Sequence, residues 1–395
     1  MLKIDEIENK IKSEASTVLC YVILFIFYYV ALILAGIGLL AAAFGLSMLM
    51  LKSSGLLWII VIWWFCLQIA WYLIKPLFAV HKPSKGSNQE IHREDCPKLF
   101  SIIEDIANKT GNKMPKHVYL SAELNARVSY KSMSIWSIFL PTSKNLTIGI
   151  GLLYGMSNDE LKAILAHEFG HFSQQTMKIN SVTYRLLLII SGMIKFTRQE
   201  QKKASLSLSD KNSWEPLFHL ASYPIKHITK LTVKFYNFID KRNSCLSRYM
   251  EFEADSIACQ IVGAKPFISS MCKLEVLSSR HEIFEKVIVQ LLEGKRYISD
   301  YGKGYEIVDK LIADDEEIFI TYDSPLETLI NEDAIYPSKI SIIEGWDTHP
   351  STIERIENAS QFIDANHTAT PEDARKLVSA SIISKIGIKA ATIHL

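Results

Sequence analysis

Residues 161–175 read LKAILAHEFGHFSQQ and hold two histidines four positions apart, with a glutamate beside the first: His167, Glu168 and His171. With 11 His in 395 residues, a His-Glu-x-x-His match arises by chance in roughly one chain in fifty, so its surroundings must decide whether it does chemistry. On a helix, residues four apart share a side. His167 and His171 could then reach one ion. Glu168, one residue on, would point beside that ion, where a base acting on water has to stand. The alternative is an amphipathic helix with two surface histidines. A working zinc site needs a third protein ligand, and the best candidate is Glu251, in LSRYMEFEADSIACQIVG. Glu251 and Asp255 are four apart and share a face if this segment is also helical. One carboxylate could bind the ion while the other accepts the free ring N–H of a ligand histidine, fixing its tautomer. Glu253 would point elsewhere, into solvent.

The elements needed to position these groups are readable. Ser157 followed three residues later by Glu160 is a capping-box pattern at a helix start. Leu161, Leu165, Phe169 and Phe172 then recur at helical spacing. Gly170 weakens a helix interior by roughly 1 kcal/mol relative to alanine, a cost that makes sense where another element must come close. In the second segment Met250, Ala254, Ile257, Ala258 and Ile261 form an apolar stripe, and Gly263 is a stop signal.

This ordered set resembles the HtpX-like and type I CaaX prenyl protease zinc metallopeptidases. They pair HExxH with a later glutamate in an E-F/Y-x-A-D stretch, here Glu251-Phe252-Glu253-Ala254-Asp255. They also carry Asn-Ala before a strand ending in Gly-Leu-Leu, here Asn125-Ala126 and then Leu146 to Leu153. Downstream they have His-Pro and an arginine five residues later, here His349-Pro350 and Arg355. The likeness runs from about Lys113 to Ile356, and Arg127-Val128 stands where the family has small and aromatic residues. The resemblance implies a mainly α fold with a small β-sheet (α+β), a zincin-type metalloprotease domain holding one Zn2+ per chain on His167, His171 and Glu251. It implies Glu168 as catalytic base, Asp255 behind a ligand histidine, and His349 and Arg355 as catalytic donors to a developing oxyanion. Its substrates would be proteins or peptides, unfolded membrane proteins among them, in membrane protein quality control. The strand from Leu146 to Leu153 could be an exposed edge on which an extended peptide pairs backbone to backbone. Two rivals are a narrow-specificity processing protease and a membrane-tethered, chaperone-like binding protein with a structural zinc site. The second has no need of Glu168.

Composition sets the wider frame. The chain is 49% hydrophobic with a formal net charge of +1, and near-neutrality gives no support for a nucleic-acid partner. No charged residue occurs from Thr17 to Leu51, nor from Ser53 to Ile74; a membrane helix needs about 20 apolar residues. The mixed-charge leader MLKIDEIENKIKSEAS argues against a signal peptide. The first run reaches about 50 Å as a helix, against a hydrocarbon core of about 30 Å. Lys3, Lys10 and Lys12 precede it, Lys52 alone divides the runs, and Lys75, Lys82, Lys85 and Arg93 follow. The positive-inside rule puts both flanks in the cytoplasm, which requires an even number of spans. The expected order is therefore a cytoplasmic segment at 1–16, two transmembrane helices within 17–80, and a cytoplasmic zinc metalloprotease domain at 81–395. An insertion at 180–240 is able to contact or enter the bilayer. Together with the resemblance, this suggests an integral protein of a bacterial inner membrane. The six cysteines form no C-x-x-C pair and read as reduced thiols.

Along the remainder, KPSKGSNQEIHRED reads as a polar linker, Cys96 to Gly111 as a helix, and Lys116 to Ser121 and Leu146 to Leu153 as strands. Ser134 to Phe139 would pair with the last of these. In the insertion, Tyr184 to Phe196 is apolar but short for a span, and Gln199 to Asn212 is polar. Pro216 to Ile239 predicts a helix with Lys226, Lys230 and Lys234 on one side and Ile228, Leu231, Phe235 and Phe238 on the other. Such a helix suits an anionic membrane surface and equally an ordinary packed helix with a solvated basic face. Lys265 to Leu395 reads as mostly helical, with THPSTIER its one chemical feature.

Overall fold

The structure is a computed structural model that describes residues 4–50, 56–74, 88–130, 144–173, 179, 182–183, 186–187, 190–195, 215–293, 301–314, 349–362, 372–379 and 382. The expected pairing segment Ser134 to Phe139 and the polar stretch Gln199 to Asn212 lie outside these residues. The chain divides into two compact units. One comprises Met1–Lys10, Lys82–Met177 and Arg248–Leu395, and the other Ile11–His81 and Lys178–Ser247.

The first unit is mostly helical around a small mixed sheet. Strands β1 (Gln89–Ile91), β2 (His117–Ser121), β3 (Ala126–Tyr130) and β4 (Lys144–Gly149) lie in the order β1-β2-β4-β3. β2 and β4 are parallel, with Val118 opposite Leu146, and the outer pairs are antiparallel. Two strands went unread in the sequence. β1 falls in the supposed linker, and β3 is the ARVSY segment just after Asn125. A third expectation is corrected: the strand read as Leu146 to Leu153 ends at Gly149, and Ile150–Gly155 is a short helix, α4. Its residues Ile150, Gly151, Leu152 and Leu153 are all buried, so the continuous apolar run carried no period to separate strand from helix. Gly149 makes the turn possible, because a Cβ there would lie 2.2 Å from the Glu123 carbonyl oxygen. β4 is also an inner strand, flanked by β2 and β3, so it is not a free edge for a peptide. Among the described residues that role is open only to β1 and β3.

Helix α3 (Pro97–Lys109) starts on a proline, buries Leu99, Ile103 and Ile106 in the common core, and stops at Gly111, whose φ is +67°. Helix α5 (Asn158–Ser173) carries the histidine pair. Its expected capping box is present: the Ser157 N–H donates to Glu160 Oε2 at 2.7 Å, and the Glu160 N–H to Ser157 Oγ at 3.4 Å. Leu161, Leu165 and Phe169 are fully buried as predicted; the side chain of Phe172 is outside the described set. The next two predicted helices are one. Helix α6 runs from Glu215 to Val262 with Pro224 inside it, in the second unit as far as Ser247 and in the first from Arg248, since no Gly or Pro interrupts the chain between Pro224 and Gly263. Gly263, at φ +98°, ends it as read. Helices α7 (Ala264–Glu293), α8 (Tyr301–Asp314) and α9 (Thr352–Ser360) and a 3-10 turn (Ala374–Leu377) complete the unit.

In the second unit, α1 (Ile4–Met50) and α2 (Leu56–Ile74) are the apolar helices. The leader residues from Ile4 onward continue into α1 without a break. α1 is long and apolar enough to cross a membrane; α2 has 19 residues and a rise of about 28 Å. Large apolar side chains such as Leu34, Phe44 and Leu49 are exposed on α1. The two helices are antiparallel neighbours: Trp63 Nε1 donates to Ser47 Oγ at 3.0 Å, and the Tyr29 hydroxyl donates to the Leu73 carbonyl.

Candidate metal centre

The histidine pair and the acidic pair meet because α5 and the C-terminal part of α6 approach closely at Gly170. A Cβ on Gly170 would lie 3.1 Å from Ala254 Cα and 3.2 Å from its carbonyl oxygen, so only glycine admits this spacing without strain. Asn112 Nδ2 fixes the same turn by donating to the Phe169 carbonyl at 2.9 Å.

Four atoms converge there. His167 Nε2 and His171 Nε2 are 3.2 Å apart. Glu251 places Oε2 3.3 Å from His167 Nε2 and Oε1 3.4 Å from His171 Nε2. His167 is 7% exposed and Glu251 6%. Behind them, Asp255, fully buried, sets Oδ1 2.8 Å from His167 Nδ1. With Nδ1–H donated to Asp255, the Nε2 atom carries a lone pair. It then faces another ring nitrogen and a carboxylate, all of them electron-pair donors. Such a cluster repels itself unless protons or a metal ion lie between its members. The separations fit a metal: tetrahedral ligands at zinc–nitrogen and zinc–oxygen distances of about 2.0–2.2 Å are about 3.3–3.5 Å from one another. His167, His171 and Glu251 can therefore hold one ion.

The electrostatics favour positive charge at this point. Burial opposes charge on His167, but the Asp255 and Glu251 carboxylates outweigh it and raise its pKa to about 9. Burial likewise works against ionised Glu251, yet hydrogen bonds from His167, His171 and His349 hold it far below the usual carboxylate range. Glu168 is different. It is half-buried beside the cluster, and desolvation pushes its carboxyl above its ordinary value, the direction that suits a proton acceptor working near neutrality.

The other sequence-predicted residues also arrive. His349 is largely exposed, with Nδ1 3.1 Å from Glu251 Oε1. Arg355 is half-buried and grips Asp255 with two hydrogen bonds, Nε to Oδ2 at 2.9 Å and Nη2 to Oδ1 at 2.6 Å. Its Nη2 also lies 3.7 Å from Glu251 Oε2. Arg355 thus spends its Nε and Nη2 donors on Asp255, with Nη2 also 3.3 Å from His167 Nδ1. Burial opposes ionised Asp255, but Arg355 and His167 keep it below its ordinary range. Glu253 is half-buried rather than solvated. The apolar stripe of α6 is rotated from the one read in sequence: Cys259 and Val262 are buried while Ile257 and Ile261 are only half-buried. The cause is Glu251 and Asp255, which take the inward face.

The sequence profile of Peptidase family M48 matches residues 95–363. The chain belongs to peptidase family M48. A protein named Protease HtpX from Histophilus somni (strain 2336) is 25% identical over 202 residues, covering 50% of this chain and 63% of that protein. One of the same name from Buchnera aphidicola subsp. Baizongia pistaciae is 26% identical over 242 residues, covering 58% and 73%. The chain thus spans about two thirds of the relatives it matches. Among solved structures, the crystal structure of S. mikatae Ste24p matches with 16% identity and a TM-score of 0.36, over 86% of this chain and 67% of that one.

Within the M48 region, three contributors to the site escaped the sequence reading. Phe267 of α7 packs near both the His167 ring and the Arg355 guanidinium, at 6.5 and 5.9 Å; nothing in its local sequence marks it. Ser351 and Glu354 form a full capping box on α9, a signal present as S-x-x-E. Arg248 Nη2 then bonds both Glu354 oxygens at 2.8 and 3.0 Å, which ties α9 to α6 and delivers Arg355 to Asp255.

Proposed function

We propose that this M48 chain is a membrane-anchored zinc-dependent endopeptidase. The observation that carries the reading is the convergence of His167 Nε2, His171 Nε2 and the Glu251 carboxylate at 3.2–3.4 Å beside the independent carboxylate Glu168. A binding site for a purely structural ion has no use for that fourth group, which weighs against the chaperone-like alternative.

Bound zinc would supply Lewis acidity, polarising the scissile carbonyl and making water acidic enough to attack near neutral pH. The residues do the rest. Asp255 holds Nδ1–H of His167 and so directs Nε2 inward. Arg355 holds Asp255 ionised and in place. Glu168 accepts a proton from the attacking water and returns it to the leaving amine nitrogen. His349, exposed at the mouth of the site, is the group available to donate to a developing oxyanion; Arg355 is better described as a positioning residue. A peptide substrate would lie extended along β3, the outer strand next to α5, pairing through its backbone and reading few side chains. Low selectivity of that kind suits unfolded or misassembled membrane proteins. The membrane placement rests on the long apolar helix α1, and the lysine distribution around the apolar runs supports a cytoplasmic site, as on a bacterial inner membrane.

The test is metal content. His167→Ala, His171→Ala and Glu251→Ala should each lose zinc in purified protein. Full zinc occupancy in all three would remove the ligand assignment and with it the proposed chemistry.

A further inference from the structure

The basic ladder on α6 is not used by the catalytic reading. Lys226, Lys230 and Lys234 are exposed at successive turns and have no ion-pair partner among the described residues. The apolar residues expected on the opposite side divide into two sets. Ile228 and Phe235 face α1, with Tyr28 stacked on Phe235 at 5.1 Å and its hydroxyl donating to the Ile228 carbonyl at 3.3 Å. Leu231 and Phe238 are 44% and 57% exposed. Leu231 stands next to the lysines on the open face, and Phe238 stands at its edge, with one side of its ring stacked on Tyr21 of α1 at 5.8 Å. Exposed lysines beside exposed leucine and phenylalanine are the composition of an interfacial helix, whose cations meet headgroups while its apolar neighbours reach the acyl boundary.

The level of the ladder is fixed by contacts within the same unit. The Tyr72 hydroxyl and Thr229 Oγ1 are 2.7 Å apart, and Tyr72 is in the last turn of α2, which ends at Ile74. Thr229 therefore marks the base of the α1–α2 hairpin, and Lys226 and Lys230 lie within one helical turn of it. Tyr28, Tyr29 and Tyr72 gather at this level, with Trp71 exposed, as aromatic residues do at a bilayer interface. Three lysines on one open face are too costly to set against hydrocarbon, so the apolar core of the bilayer has to begin on the hairpin side of them. On this placement only the part of α1 paired with α2 crosses; the part before it packs Tyr21, Phe25 and Tyr28 on α6 and leaves Ile23, Leu24 and Phe27 exposed on its other side.

We propose that Lys226, Lys230 and Lys234 form a binding site for anionic phospholipid headgroups at the base of the hairpin. The inference rests on the membrane placement proposed above. Full-length protein in phosphatidylcholine vesicles, with spin-labelled phosphatidylglycerol or phosphatidylcholine as probe, gives the relative affinity of the two lipids for the protein boundary. Each lysine near a charged surface contributes roughly a fivefold preference at low salt. Wild type is expected to favour phosphatidylglycerol severalfold and to lose the preference at high salt. Lys226→Gln/Lys230→Gln/Lys234→Gln should lose it at any salt, and the corresponding triple arginine variant should keep it. Equal preference in wild type and the glutamine variant, or none in wild type, overturns the site. Failure of wild type to insert into vesicles at all would instead remove the membrane placement.

Discussion

Replacing Gly170 by alanine tests whether the closeness of α5 and α6 sets the metal geometry. The added Cβ would sit 3.1 Å from Ala254 Cα, 3.2 Å from its carbonyl oxygen and 3.3 Å from its Cβ, where carbon contacts are ordinarily about 3.5–4.0 Å. None of these atoms can rotate away, so the helices must separate by a few tenths of an ångström. α5 holds His167 and His171, and α6 holds Glu251 and Asp255. Metal sites tolerate displacements of about 0.2 Å, so the opening should lower zinc affinity by about tenfold or more, roughly 1.4 kcal/mol. Folding should change less. Alanine gains about 1 kcal/mol of helix propensity over glycine, against an overpacking cost of about 1–3 kcal/mol. Chelator competition on purified protein measures the first quantity, and thermal melting of the metal-free protein the second. Gly170→Ala with wild-type zinc affinity would refute the claim that this contact positions the ligands.

Asp255→Asn should weaken zinc binding by about 10–100-fold, the usual effect of losing a carboxylate behind a ligand histidine, measured by the same competition. Arg355→Ala leaves buried Asp255 with His167 as its remaining partner, a loss of up to about 3–5 kcal/mol, so it should lower the melting temperature as well as zinc affinity; normal stability with slow cleavage would instead return Arg355 to an oxyanion role. Glu160 caps α5 and also accepts from Ser269 at 2.5 Å and Lys273 at 3.0 Å on α7. Burial opposes its charge, but these bonds hold its pKa below the ordinary value. A depressed folded-state pKa contributes stability above the unfolded pKa that is lost as pH falls through the folded one. Glu160→Gln should therefore melt lower than wild type by the equivalent of about 0.5–2 kcal/mol near neutral pH, and the gap should close in acid. A gap independent of pH would contradict it.

The candidate metal site was legible because its spacing is local. His167 and His171 sit one helical turn apart, and Glu251 and Asp255 do the same, so each pair is fixed before any tertiary contact forms. The partner of Arg355 was not legible: one hundred residues separate it from Asp255, and only the α6–α9 packing brings them together. The sheet shows the same division. β2 was read as a strand from its own residues, Lys116 to Ser121, but β4 runs into a helix through an apolar stretch without period, and the short β1 depends on pairing with β2. On α6, amphipathicity left two readings open, a helix on an anionic membrane surface and an ordinary packed helix with a solvated basic face. The exposure of Leu231 and Phe238 beside the lysines shows that periodicity alone does not say what lies outside the protein.

Glu168 decides whether this metal site is catalytic. Detergent-purified wild type should contain one zinc per chain and cleave a denatured model protein, with cleavage abolished by chelation and restored by zinc. Glu168→Gln should bind zinc as wild type does and leave the substrate intact, because only the proton acceptor has been removed. Undiminished cleavage by Glu168→Gln, or a zinc-loaded wild type that cleaves nothing, would contradict the assignment.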